Sequence, residues 1–282
     1  MGVEPDKTGA EPDNAAPHAS PDDADDLALI ERAAHEGAAI AMRHWRGDPT
    51  VWHKEGGSPV SEADMAVDAA LRGMLTGARP AYGWLSEEAT SEERTRAAKG
   101  GRCFIVDPID GTRAFLEGAE TWGVAIAVVE DGRPVAGVLA CPALDLHYAA
   151  RIGNGATRNR KAIEAGGAKE RPRMAGPRSW LDKMPDGYEG RVHRVPYIPS
   201  LAYRIALVAD GGLDGTYVRP SAHDWDLAAA DLILAEAGGA LLTEWGEPPR
   251  YGGDDPRHGW LVAGSAAQLP HMLDMARRTA AA

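Results

Sequence analysis

Apolar residues recur along this chain with two different periods, and their alternation outlines the elements. From Asp26, the positions Leu27, Ile30, Ala34, Ala38, Ala41 and Trp45 fall three to four apart, which predicts an amphipathic helix ending near Gly47-Asp48-Pro49. Val51–Lys54 reads as extended and residues 55–59 as a turn. Ser61 followed by Asp64 then resembles an N-cap with a first-turn acid, and Met65, Ala69, Leu71, Met74 and Leu75 continue a second helix. Short strands are expected at Tyr82–Ser86 and Cys103–Val106, with a polar connection over 89–101. Trp122–Val129 and Pro134–Leu139 flank Glu130-Asp131-Gly132-Arg133, a hairpin signature with Asp-Gly in the turn, and Leu146–Ala150 adds a further strand.

Residues 151–199 are the least periodic and read as a connection with long loops. Strand character resumes at Arg204–Ala209 and Gly215–Val218. A strong helix follows His223, with Asp226 in its first turn and Gly238 suited to its end. Ala240–Thr243 and Gly259–Ala263 supply later strands, and a last helix starts after Ser265. The Pro-, Ala- and Asp-rich residues 1–23 read as a disordered acidic leader, residues 24–152 as an α+β half and residues 153–282 as an α/β half.

Charge sharpens this outline. Of the formal net charge of −12, the first 26 residues carry −7, which leaves the body only mildly acidic. No basic stripe supports duplex nucleic acid, while a small anionic substrate stays open. No run approaches a membrane span and no signal-peptide pattern opens the chain, so a cytoplasmic protein is the default expectation. Cys103 and Cys141 both sit in apolar runs and read as buried, reduced thiols.

The chemistry gathers at Asp107-Pro108-Ile109-Asp110-Gly111-Thr112, between an apolar strand and Arg113–Leu116, which can open a helix. Two carboxylates leave a strand end together. Gly111 permits a turn, and Thr112 stands where a helix N-terminus offers N–H groups and a hydroxyl, so metal and phosphate can be held side by side. A haloacid-dehalogenase motif would place its nucleophilic Asp two residues before Asp110, where Pro108 stands. An EF-hand would need oxygen ligands where Arg113, Phe115 and Leu116 stand. In isolation the hexapeptide also fits a structural turn, Asp64 a solvated helix carboxylate, and Glu87-Glu88 a solvated pair at a strand end.

Taken together, Glu87-Glu88, the hexapeptide, and Trp225-Asp226-Leu227-Ala228-Ala229 through Glu236-Ala237-Gly238-Gly239 resemble the inositol monophosphatase superfamily. Lys54 with Ser58–Asp64, and Gly153-Asn154-Gly155-Ala156 through Asn159, match its N-terminal and mid-chain motifs. The resemblance runs over residues 27–265 in the expected order. It implies a sugar-phosphatase fold, a layered α-β-α-β-α sandwich combining α+β and α/β parts, and a lithium-sensitive phosphatase using two to three Mg²⁺ ions. Glu87, Asp107, Asp110 and Asp226 would be metal carboxylates, the Ile109 carbonyl a further ligand, and Asp64 part of a weaker third site. Hard oxygen donors suit Mg²⁺, and converging carboxylates are tolerable when cations neutralise them. Thr112, with Asp64 or Glu87, would orient the attacking water, and the Gly111 and Thr112 N–H groups would hold phosphate.

Substrate choice turns on Arg219, seven positions before Asp226, where inositol phosphatases carry an acid. Tyr217-Val218-Arg219 and Ser200–Arg204 look more like bacterial 3'(2'),5'-bisphosphate nucleotidases. A guanidinium suits a second phosphate and suits a polyol poorly. The resemblance therefore implies hydrolysis of adenosine 3',5'-bisphosphate to AMP, a role tied to sulfur assimilation, with inositol-1-phosphate or another sugar phosphate as the alternative. A catalytically silent relative would have lost a ligand or Thr112, and none is lost. The roles of Arg113, His223 and Asp224 stay open, as does the oligomeric state, a homodimer included.

Overall fold

In the computed structural model, which describes residues 20–47, 49–53, 59–90, 101–167, 169–177 and 192–280, the first helix starts sooner than its apolar stripe. α1 spans Pro21–His44. The Ser20 hydroxyl accepts from Asp22 N, Asp23 accepts from Ser20 N at 2.6 Å, and Pro21 opens the first turn. Residues 21–23 of the expected leader are therefore helical, because capping rather than apolar spacing sets the start. Residues 1–19 of that leader lie outside the described residues, as do Lys54, Ser58 and residues 91–100.

β1 (Val51–His53) and β2 (Pro59–Ser61) form an antiparallel ribbon, and Ser61 caps α2 (Glu62–Ala78). β3 (Gly83–Ser86) pairs in parallel with β4 (Arg102–Asp110). The acidic hexapeptide does not lie beyond this strand. β4 runs through Asp110, with its pairing to the next strand interrupted between Asp107 and Asp110, and α3 (Thr112–Leu116) follows. β5 (Gly123–Glu130) and β6 (Arg133–Cys141) form the expected hairpin, with Asp131 and Gly132 both left-handed. β7 (Leu146–Arg151), β8 (Ala156–Arg158) and β9 (Lys161–Ile163) complete a sheet ordered β3-β4-β5-β6-β7-β8-β9 among the described residues, antiparallel after its first pair. It extends past residue 152, the expected division between halves.

β10 (Arg173–Ala175) and β11 (His193–Arg194) also lie in the stretch expected to be loops. They join β12 (Gly215–Val218), β13 (Gly239–Thr243) and β14 (Leu261–Ser265) in a second sheet ordered β11-β10-β12-β14-β13. The expected strand at 204–209 is instead part of α4 (Leu201–Ala209). A short apolar run is ambiguous by spacing alone, and here the Ser200 hydroxyl, accepting from Tyr203 N, fixes a helix. α5 (Asp224–Glu236) and α6 (Leu269–Ala280) follow.

Period-2 burial on both faces of the larger sheet generates the layers. Phe104, Val106, Val124, Ile126 and Val128 face a core shared with α1 and α2. Their neighbours Cys103, Ile105, Ala125, Ala127 and Val129 face a second core built from α4, α5 and one face of the smaller sheet. Met174, Tyr217 and Val262 close the other face of that sheet against Met272, Met275 and Ala276 of α6. The order is thus α1/α2, sheet, α4/α5, sheet, α6: the expected α-β-α-β-α sandwich. α5 has no solvent stripe, since Leu227–Leu234 are all buried between the sheets. A Cβ on Gly137 of β6 would stand 3.0 Å from Ala229 O, so glycine lets this middle helix sit close on the sheet.

The two cysteines are free and buried, and burial pushes the Cys103 thiol up to about 12. Neither is poised for redox chemistry.

Candidate active site

Three chain segments end against one another where β4 meets the N-termini of α4 and α5. Asp107 and Asp110 come from β4 and Asp226 from the first turn of α5, and one oxygen of each lies within 4.8 Å of the others. Asp107 and Asp110 are buried, and Asp226 is partly exposed. Burial raises the Asp107 pKa most, followed by the charges of Glu87, Asp110, Asp226 and Asp64. Burial likewise raises Asp110, to about 7, with Asp226 adding to it and hydrogen bonds from Ser200, Leu201 and Ala202 opposing it. Like charges this close and this dry resist common ionisation unless a cation joins them.

Local structure fixes each oxygen. Asp107 Oδ1 accepts from Ile109 N at 3.0 Å, which curls the strand end. Both Asp110 oxygens point at α4: Leu201 N donates to Oδ1 at 3.1 Å, Ala202 N to Oδ2 at 2.8 Å, and the Ser200 hydroxyl also donates to Oδ2. The sequence singled out Ser200 only as part of the Ser200–Arg204 match; its bond to Asp110 and its cap on α4 carried no local signal. Asp226 Oδ2 accepts from His223 N at 2.7 Å, and the His223 ring stacks on Trp225 at 4.6 Å. Gly111 is left-handed at φ +90, and a Cβ there would stand 3.1 Å from Thr121 O and 3.3 Å from Ser200. The turn that aims β4 into α3 therefore needs glycine.

Asp64 is buried rather than solvated. Its Oδ2 accepts from Ser61 N at 2.7 Å and from the Ser61 hydroxyl at 2.6 Å, and its Oδ1 lies 3.3 Å from the Thr112 hydroxyl. That hydroxyl is also 3.1 Å from the Ile109 carbonyl oxygen, so one proton serves two acceptors. Glu87 stands near Asp107, which feels its charge more than that of any other carboxylate. The Glu87 N–H donates to Val106 O at 3.2 Å, and the strand-end pair is half-buried. Beneath it, Ser86 donates a short hydrogen bond to buried Asp68, a pair the sequence did not single out. Among the described residues, only Asp107, Asp110 and Asp226 meet the mutual 4.8 Å distance, with Glu87 and Asp64 at the edge of the cluster.

At the first turn of α4, Arg204 and Arg219 line a cavity of about 210 Å³ with Tyr197 and Val218. Arg204 is buried. Its Nη1 donates to Ile198 O at 3.3 Å, while its Nε is buried without a hydrogen-bond partner. Burial lowers its pKa, nearby Tyr197 and Asp110 oppose this, and Arg219 adds like-charge repulsion. Two guanidiniums so placed call for an anion. Arg113 is exposed. Asp224 is not the helix cap, a position held by His223. Its buried carboxylate accepts from Gly252 N at 2.7 Å and meets His258 Nε2 at 2.7 Å, and this fastens the 252–258 loop. The Gly153, Asn154 and Gly155 N–H groups all donate to the Glu236 carboxylate at 2.7–3.0 Å, so the mid-chain glycine motif closes the end of α5.

The fold is that of a layered phosphatase. An IMPase of Thermotoga maritima superposes over 90% of this chain and 97% of its own, with a TM-score of 0.78 at 24% identity. Residues 23–277 match the model of the inositol monophosphatase family, and the chain belongs to that family. Among its relatives are a histidinol-phosphatase of Mycobacterium tuberculosis, 35% identical over 80% of this chain and 89% of the relative, and a 3'(2'),5'-bisphosphate nucleotidase of Aggregatibacter actinomycetemcomitans, 31% identical over 79% and 86%.

Proposed function

We propose that the chain is a Mg²⁺-dependent phosphomonoesterase that hydrolyses adenosine 3',5'-bisphosphate to AMP and phosphate. The observation that carries the substrate is the buried Arg204, with its unpartnered Nε, beside Arg219 in one cavity that adjoins Asp110 through α4. A second phosphate there satisfies both guanidiniums, and a neutral polyol does not.

Asp107, Asp110 and Asp226 offer the hard oxygen set that Mg²⁺ takes, and each keeps lone pairs beyond its hydrogen bonds. Glu87, the Ile109 carbonyl and Asp64 extend this set. A divalent cation bound there supplies a Lewis acid and makes bound water more acidic. Thr112, donating toward Asp64 Oδ1 or Ile109 O, keeps lone pairs to accept from the attacking water and orients it in line with the ester. Asp64 or Glu87 receives the proton, the water oxygen bonds to phosphorus, and the ester P–O bond breaks with its electrons leaving on the alcohol oxygen. No phosphoenzyme forms. The Gly111 and Thr112 N–H groups, which open α3 and have no carbonyl within it, hold phosphate oxygens. Lithium sensitivity and a role beside sulfur assimilation follow from this reading.

A second reading, histidinol phosphate or another sugar or polyol phosphate including inositol-1-phosphate, is favoured by the names of the relatives. Phosphate release with Mg²⁺ from adenosine 3',5'-bisphosphate, inositol-1-phosphate, fructose 1,6-bisphosphate and histidinol phosphate separates the two. Arg219→Glu should lower kcat/KM for the bisphosphate nucleotide by about 10- to 100-fold, the worth of one charge-assisted contact, and spare inositol-1-phosphate. Equal losses on both substrates would remove the basis for the nucleotide. Retained turnover in Asp110→Asn would sink the metal model itself.

A further inference from the structure

A second basic concavity lies outside the carboxylate site, between α1 and the β7–β9 strands. Arg32 and His35 of α1, His147 of β7, and Asn159 and Arg160 of the turn joining β8 to β9 line a groove of about 740 Å³. An adjoining hollow of about 260 Å³ shares His35, His147 and Asn159. Glu31 is the one acid lining the larger groove among the described residues, and it lies 3.5 Å from His147 Nε2. Asp145, in the smaller hollow, turns its carbonyl to Asn159 Nδ2. Burial lowers the His147 pKa, with His35 and Arg160 repelling its charged form and Glu31 favouring it, so three basic groups crowd one carboxylate.

The turn itself is informative. Arg158 pairs with Lys161, which leaves a two-residue loop of Asn159 at φ 50 and Arg160 at φ 64. Such loops favour Asn at the first position and glycine at the second. Here the second position carries a long cation in the left-handed region. The Asn159 side chain locks the loop, accepting from His147 N at 2.8 Å and donating to Asp145 O at 2.8 Å. Arg160 makes no hydrogen bond or ion pair among the described residues, and His35 is exposed beside it. A strained backbone thus presents an uncommitted guanidinium to a groove that also holds Arg32 and two imidazoles.

We propose that this groove is a second anion site, distinct from the catalytic carboxylates, that takes a ligand bearing a phosphoryl group between Arg32, His35, His147 and Arg160. Arg offers a donor fork that matches phosphoryl oxygens, and the imidazoles supply further N–H donors. The inference does not depend on which phosphate ester the enzyme hydrolyses.

The test follows the ring resonances of His35 and His147 by NMR in the Mg²⁺-loaded full chain, assigned through His35→Gln and His147→Gln. Inorganic phosphate and the non-hydrolysable phenylphosphonate are the probes. Both histidine signals should shift saturably, and should still shift in Asp110→Asn, where the catalytic site is disabled. Arg160→Gly and Arg32→Gln should each weaken the binding about tenfold or more. Arg160→Gly should also raise Tm by a few degrees, because glycine fits the left-handed position without strain. Tighter binding of phenylphosphonate assigns an organic phosphate, and tighter binding of phosphate assigns the free ion. Unmoved histidine signals, shifts that vanish in Asp110→Asn, or wild-type affinity in both Arg160→Gly and Arg32→Gln would overturn the proposal.

Discussion

Arg102→Met tests how the first helix is fastened to the larger sheet. Arg102 opens β4 and is nearly buried, and its guanidinium donates to Asp23 Oδ1 at 2.7 Å, Asp26 Oδ2 at 2.8 Å and Glu130 at 3.1 and 3.2 Å. Asp23 and Asp26 have no exposed side-chain surface. Burial pulls the Arg102 pKa down, but its bonds to Glu130, Asp26 and Tyr82 outweigh it and leave the net shift upward. Methionine fills much of the volume and removes every donor. Asp26 keeps Arg79 Nε at 2.9 Å and the Tyr82 hydroxyl at 2.8 Å, so it remains compensated. Among the described residues Asp23 keeps only the Ser20 N–H as a donor to its carboxylate, so it becomes the weak point.

Leaving one buried carboxylate without its cation costs about 3–5 kcal/mol. Unwinding the first turn of α1 lets Asp23 reach water and caps the loss near the lower end, about 3 kcal/mol. Urea denaturation of the wild type, Arg102→Met, Asp23→Asn and the double variant gives the cycle. The double variant should recover part of the loss, since the uncompensated charge is gone. Because the pair is buried, added salt should change the cost little. Asp107 lies five residues further along β4, about 16 Å at strand rise, so kcat should hold wherever the variant is folded. A loss below about 1 kcal/mol would show that the cluster behaves as a surface ion pair, which refutes the buried-anchor argument.

Four further outcomes follow from named contacts. Burial raises the Asp231 pKa to about 6, against a bond from the Tyr251 hydroxyl at 2.8 Å, so the native state holds a proton that the unfolded state has lost between about pH 4 and 6. Stability should therefore fall by about 3 kcal/mol as pH rises through that window, and urea titrations of Asp231→Asn should lack this fall. Gly137→Ala should cost about 1–3 kcal/mol in thermal or urea unfolding, since its Cβ would press on Ala229 O at 3.0 Å. Glu236→Ala should cost about 1 kcal/mol, because the Gly153, Asn154 and Gly155 N–H groups lose their acceptor but stand near enough to solvent for water to replace it. MgCl₂ should raise the wild-type Tm with the logarithm of its concentration above Kd, and Asp107→Asn should abolish that rise in scanning calorimetry.

Elements with two agreeing signals were legible in the sequence. The Asp131-Gly132 hairpin joined alternation to a turn that needs positive φ, and both hold. α2 joined an apolar stripe to the Ser61–Asp64 capping box. Where an apolar run stood alone it did not always settle the element: Leu146–Ala150 is a strand as expected, and 204–209 is not. The run 204–209 is apolar enough for a strand or a buried helix, and the deciding bond, Ser200 to Tyr203 N, is visible only once Asp110 has fixed Ser200 in space. The start of α1 was missed for a related reason: Asp23 fell in a stretch read as a disordered acidic leader, and the Arg102 that pairs with it lies 79 residues away in sequence.

The same distinction explains how the site was read. Local motifs were enough to pick out Asp107, Asp110 and Asp226, which the fold brings together, whereas the α4 partners of Asp110 lie far away in sequence. Asp110 looked like a metal ligand alone, yet its two oxygens also hold the N-terminus of α4. Arg204 lies within the first turn of that helix, so on the proposed reading the residue that would hold the metal also positions the cation that would meet the substrate. Substituting Asp110 therefore disturbs both at once. Loss of activity in Asp110→Asn alone cannot separate metal binding from substrate placement, and Ser200→Ala can. It keeps the carboxylate and removes one anchor of α4, so it should raise KM for a bisphosphate substrate more than for a monophosphate, with kcat changed less than in Asp110→Asn. An equal fall in kcat for both variants would mean that α4 serves the carboxylate cluster and not the Arg204 cavity.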